Sequence, residues 1–203
     1  ISACLVGSEM CIRDRVSKAE FILNAQKKFA LQEQYKPQPK QYISGETFYL
    51  QGRALRLKVI RASKEQLYSD GVHLFLEVKD PQDFSKKERM VMRFFDRECK
   101  EVFGEIVEEL YPVFQKYGVA VPSLRIRSMD TRWGSCLPDK GVITLNKRLL
   151  EAPRNCIEYV VMHELCHFIH PNHSKHFYAF LSMLMPDWKE RKKVLDANDT
   201  YYL

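Results

Sequence analysis

Cys156-Ile157-Glu158-Tyr159-Val160-Val161-Met162-His163-Glu164-Leu165-Cys166-His167-Phe168-Ile169 is the stretch on which the reading of this chain turns. It is apolar almost all round, as a helix buried on most sides should be, and an H-E-x-x-H pattern interrupts it. At 3.6 residues per turn, His163 and His167 share one face about 6 Å apart, so both imidazoles reach a single ion at roughly 2.1 Å. Glu164 sits at the edge of that face, where a carboxylate serves as general base for water activated by the metal. Without a ligand the helix would strand three polar side chains in an apolar core, and binding an ion removes that cost.

Two helical ligands need a third, and His170, His173 and His176 are the candidates. His170 stacks on the same face about 10 Å from His163, a linear arrangement poorly suited to tetrahedral zinc. Pro171-Asn172 turns the chain, so His173 folds back towards the ion while Ser174 or Asn172 caps the next helix; His176 is the reserve. Cys166 lies about 80° off the ligand face and reads as a small core residue.

Working outward, helices are expected over about Pro153 to Ile169, Ser174 to Met185 and Trp188 to Leu195. Upstream, Val91, Phe94, Phe95, Cys99, Val102, Phe103, Ile106, Val107 and Leu110 keep a 3-and-4 spacing behind a Ser85…Glu88 capping box, which predicts a long amphipathic helix that Pro112 ends or kinks. Short strands are predicted around Leu124 to Ile126 and over Val142 to Leu145. Earlier still, Leu55, Leu57 and Val59 alternate with basic residues, and Val72, Leu74, Leu76 and Val78 repeat the pattern. Asp70-Gly71 between them is a hairpin signal, so an antiparallel meander with one buried face is expected. Val16 to Tyr35 reads as a polar, weakly amphipathic helix followed by a Lys36-Pro37-Gln38-Pro39-Lys40 linker.

The first 15 residues, ISACLVGSEMCIRDR, have neither periodicity nor the layout of a targeting signal, and resemble the translation of a sequencing adapter. They are set aside, with the expectation that deleting them changes neither melting temperature nor metal content. They carry two bases and two acids, so the net charge of +6 persists without them. That charge favours anionic partners in general, nucleic acid or nucleotides among them. No apolar run is long enough to span a bilayer, so no membrane association is expected. Cys99, Cys136, Cys156 and Cys166 show no paired spacing, which fits free thiols in a reducing cytoplasm.

Thr131-Arg132-Trp133-Gly134-Ser135-Cys136, then Leu145-Asn146, then the HELCH helix, then Asn172-His173-Ser174 and Phe177 resemble the YgjP-like metal-dependent hydrolase family, itself similar to the SprT and WLM zincin metallopeptidases. The resemblance implies His163, His167 and His173 as metal ligands and Glu164 as the catalytic acid/base. It implies one α+β, zincin-like domain over residues 16–203, with an N-terminal helix and meander over 16–83 and a catalytic core over 84–203.

Gly134 and Trp133 have a purely structural reading as a tight turn and a core anchor. Arg132 and Asn146 are the candidate substrate contacts, Arg132 because guanidinium geometry suits an anionic group or developing oxyanion. The expected chemistry is zinc-dependent hydrolysis of a peptide or protein lying along Val142 to Leu145 as an edge strand. A nucleotide or phosphoanhydride hydrolase using the same site, and a zinc-stabilised nucleic-acid-binding module, are the rival readings.

Overall fold

The computed structural model describes residues 39–198, together with Ala19 and Leu23 as isolated helical positions. The reading for Ile1–Arg15 lies outside the described residues, as does that of the helix over Val16–Tyr35 apart from those two positions. The fold is α+β, with two small mixed sheets and helices packed against them.

The first sheet contains β1 (Thr47–Leu50), β2 (Arg53–Arg61), β3 (Gln66–Ser69) and β4 (His73–Val78) in the order β1-β2-β4-β3. β1 and β2 form a hairpin through Gln51 and Gly52, both left-handed at φ 49° and 78°. A side chain at Gly52 would also press on Pro153, whose Cγ lies 3.0 Å from the position of an added Cβ. The Asp70-Gly71 hairpin joins β3 to β4, with the Asp70 carboxylate accepting from the N–H groups of Val72 and His73 at 2.9 and 2.6 Å. The expected antiparallel meander is therefore corrected: β2 and β4 are parallel neighbours, from Arg56↔His73 to Arg61↔Val78. The segment between them is long enough to hold an additional strand, β3, which reverses the chain before β4 begins. Leu55, Leu57, Leu74, Leu76 and Val78 face inward and are fully buried.

Helix α1 (Phe84–Leu110) seals that face with Val91 and Phe94, then continues to supply Cys99, Val102, Phe103 and Ile106 to a second, larger core. Its cap is Asp83, whose side chain accepts from the Lys86 N–H at 2.9 Å, and Ser85 lies inside the first turn. The carboxylate one residue before the helix reaches the free N–H groups first, which displaces the expected Ser85 box. Pro112 ends α1 as expected and opens the short α2 (Pro112–Gln115).

The second sheet is β5 (Ser123–Arg127), β6 (Gly134–Leu137) and β7 (Val142–Asn146), in the order β5-β7-β6. β7 is central, parallel to β5, antiparallel to β6 and buried along its length. It is therefore not the edge strand expected for substrate; the edges of this sheet are β5 and β6. Beyond β7 a 3-10 turn over Lys147–Glu151 connects the two cores, since Leu150 and Glu151 carbonyls accept from the Gln51 and Gly52 N–H groups at 2.8 and 2.9 Å. Helices α3 (Arg154–Cys166), α4 (Lys175–Leu184) and α5 (Trp188–Asn198) complete the larger core. Among the described residues, no helix is long and apolar enough to cross a membrane.

Candidate metal centre

Helix α3 buries Ile157, Val161, Leu165 and Cys166 completely, so its orientation is set by packing and its remaining face is the one that carries His163 and His167. His167 ends the helix, its N–H bonding to the Glu164 and Leu165 carbonyls. One further turn runs to His170, whose N–H reaches the Cys166 carbonyl at 2.9 Å, and Pro171 stops it. Ser174 caps α4 by accepting from the Phe177 N–H at 3.4 Å. Between those two points the chain doubles back and delivers His173.

His163, His167 and His173 converge, with one nitrogen of each within 4.8 Å of the others. His163 Nε2 and His173 Nε2 are 2.9 Å apart, near the roughly 3.3 Å that separates two ligands of a tetrahedral ion at about 2.0–2.1 Å. His167 Nδ1 lies 3.2 Å from the His170 carbonyl oxygen, which only accepts, so Nδ1 carries the proton and Nε2 keeps its lone pair. Burial, reinforced by the neighbouring imidazoles and Lys192, pushes His163 down to about 3, and burial also lowers His167. Both rings are therefore neutral at physiological pH, the form that ligates a metal. This donor set fits a divalent cation such as zinc. His176 is placed elsewhere, stacked at 6.5 Å on His170, and His170 itself packs on Phe180.

Glu164 is 6% exposed, and burial pushes its carboxyl up to about 8 against the opposing pull of Arg132. A cation held by the adjacent imidazoles would invert that balance in favour of the carboxylate. Glu164 lines a cavity of about 180 Å³ together with Trp133, Gly134 and Tyr159. Gly134 is not a turn residue: it lies in β6, and a Cβ built on it would fall 2.7 Å from Glu164 Oε1 and 2.9 Å from its Cγ. The structural reading of Gly134 is corrected accordingly, since its hydrogen is what leaves room for the carboxylate.

Trp133 is half-buried against the larger core, with the Arg148 guanidinium 5.8 Å from its ring centre. Arg132 is exposed and acts electrostatically on Glu164. Asn146, expected at the substrate, is 2% exposed and spends its amide on the chain itself. Its Nδ2 donates to the carbonyls of Met129 and Arg132 at 2.7 and 2.8 Å, and its Oδ1 accepts from the Arg148 N–H at 3.2 Å. This makes Asn146 a positioning residue for the loop that carries Arg132. Burial pushes the Cys166 thiol up to about 12, and burial with Glu164 does the same to Cys136, so neither offers a thiolate at neutral pH.

A family model described as YgjP-like, metallopeptidase domain matches residues 8–198. Among solved structures, the metallopeptidase zymogen of Pyrococcus abyssi abylysin is 20% identical, covering 49% of this chain and 93% of its own, at a TM-score of 0.42. The metallopeptidase zymogen of Methanocaldococcus jannaschii jannalysin is 22% identical over 47% of this chain and 88% of its own, at 0.41. No curated protein matches the chain.

Proposed function

Because this chain belongs to the YgjP-like metallopeptidase family, we propose that it is a zinc-dependent peptidase in which His163, His167 and His173 hold the ion and Glu164 is the general base. The observation that supports this reading is the convergence of three imidazoles beside a buried carboxyl that has been given space by a glycine. When bound, zinc supplies a Lewis acid that polarises the scissile carbonyl and acidifies water. Glu164 takes the proton of the attacking water and returns it to the leaving amine. The neutral imidazoles leave the cation's charge uncancelled, and Arg132 stabilises negative charge developing on the carbonyl oxygen.

The substrate strand is assigned to β6. Asn146 N–H bonds the Trp133 carbonyl at 2.9 Å, so by antiparallel alternation Ser135 and Leu137 also bond towards β7. The backbone groups of Gly134 and Cys136 then point to the free edge, where a peptide adds by main-chain hydrogen bonds. That edge begins at the residue that contacts Glu164.

The test is Glu164→Gln, which keeps the shape of the side chain and removes its basicity. It should retain metal and melting temperature and lose at least about 10²-fold in turnover on a fluorogenic peptide panel. Turnover at the wild-type rate would replace this reading with a structural metal site.

A further inference from the structure

Hydrolysis as described makes no use of the space between α4 and α5. It is a cavity of about 620 Å³ whose lining includes His163 and His173. From there the wall is aromatic: His173 stacks on Tyr178 at 6.1 Å, Tyr178 on Trp188 at 5.4 Å, and Trp188 on Tyr159 at 6.3 Å, with ring planes within 13–26° of parallel. Trp188 is fixed by its Nε1–H, which donates to Ser182 Oγ at 2.8 Å. The same lining carries Lys189 and Lys192. Lys189 holds its ammonium 5.8 Å from the Trp188 ring centre and has no ion-pair partner among the described residues, whereas Lys192 pairs with Asp196. Among the described residues, no Asp or Glu lines this cavity. Tyr159, His163 and Lys192 also line the smaller cavity that holds Glu164 and Asp196, so the two spaces share a wall beside the general base.

Building on the peptidase reading above, we infer that this cavity is a specificity subsite for a carboxylate-bearing residue beside the scissile bond. Flat aromatic faces take a methylene stem without demanding hydrogen bonds, and the Lys189 ammonium meets the carboxylate. An amide of the same shape would leave Lys189 without its counter-charge, which gives discrimination by charge rather than by size. Two sources supply such a carboxylate, an acidic side chain or the free C-terminus of the peptide.

The chain contains two tryptophans, so in a Trp133→Phe background the emission reports on Trp188 alone. Zinc-loaded protein is titrated at low salt with matched peptides carrying Glu or Gln beside the scissile position, each with a free or amidated C-terminus. Lys189→Ala and Lys192→Ala, both exposed positions, are run alongside with their melting curves. The acidic peptide should quench Trp188 with a Kd at least about tenfold lower than its neutral twin. That advantage should shrink below about twofold in Lys189→Ala and fall with added salt, and Lys189→Glu should reverse it. The free-acid and amidated arms show which carboxylate is read. Equal binding of acidic and neutral peptides, a preference that survives both lysine substitutions, or stronger competition by a nucleoside triphosphate than by the acidic peptide would overturn the inference. Lysine-dependent acidic binding without cleavage of any peptide would sink the peptidase reading and leave the subsite standing.

Discussion

The smaller core, in which Leu55, Leu57, Leu74, Leu76 and Val78 meet Val91 and Phe94, and the larger one around α3 use the same aliphatic and aromatic residues but bury different company. The smaller core closes a sheet against a helix. The larger one is broken on one helical face by His163, Glu164 and His167, with a glycine hydrogen where a β-carbon would collide with the carboxylate. Burying a carboxyl that is pushed up to about 8, and a His163 Nδ1 without a partner among the described residues, costs stability that an all-apolar helix would not lose. Where a fold tolerates such a cost beside an otherwise complete core, chemistry is the reason to look for.

Leu76→Ala should have the largest effect on stability, about 2–5 kcal/mol by loss of buried surface and the cavity left behind, with metal content per folded chain unchanged. Thermal melts paired with elemental analysis check this, and metal loss well below the melt would show that the two cores are not separable. Gly134→Ala is the converse. It should cut turnover about tenfold, roughly 1.4 kcal/mol of barrier, by displacing Glu164, while moving the melting temperature little. A variant that melts early yet turns over normally would assign Gly134 to packing instead.

The smallest effect lies at the connection between the cores. Burial pushes the Glu151 carboxyl up to about 7 from its ordinary 4.5, with Arg148 and Lys40 opposing. The folded state therefore holds a proton that the unfolded chain releases, so stability is greatest below about 4.5 and falls as pH rises from there to about 7. Glu151→Gln should flatten that slope, a gain of about 1 kcal/mol at pH 8 after allowance for the two cations. Parallel pH profiles of the melting temperature would show that Glu151 does not contribute.

What could be read from the residues follows the same division. The long helix and the HELCH helix declare themselves because a helical period is a local property, and Pro171 places His173 because a proline cannot continue a helix beyond its first turn. Parallel pairing of β2 with β4 is invisible locally, since alternation in Leu55–Val59 and Leu74–Val78 specifies a buried face and not a partner. β6 was hidden for a different reason. Trp133-Gly134-Ser135-Cys136 has no alternation, and its glycine is explained only by Glu164, thirty residues further along the chain. The aromatic wall escaped because Tyr159, Tyr178 and Trp188 belong to three different helices.

The central claim, that His163, His167 and His173 hold one zinc, is tested most directly by elemental analysis of purified wild-type protein beside His163→Ala, His167→Ala, His173→Ala and His176→Ala. One zinc per chain in the wild type and in His176→Ala, with strong loss in the other three, is the expected result. Full occupancy in His173→Ala together with loss in His176→Ala, or a wild-type protein that takes up no zinc, would contradict it.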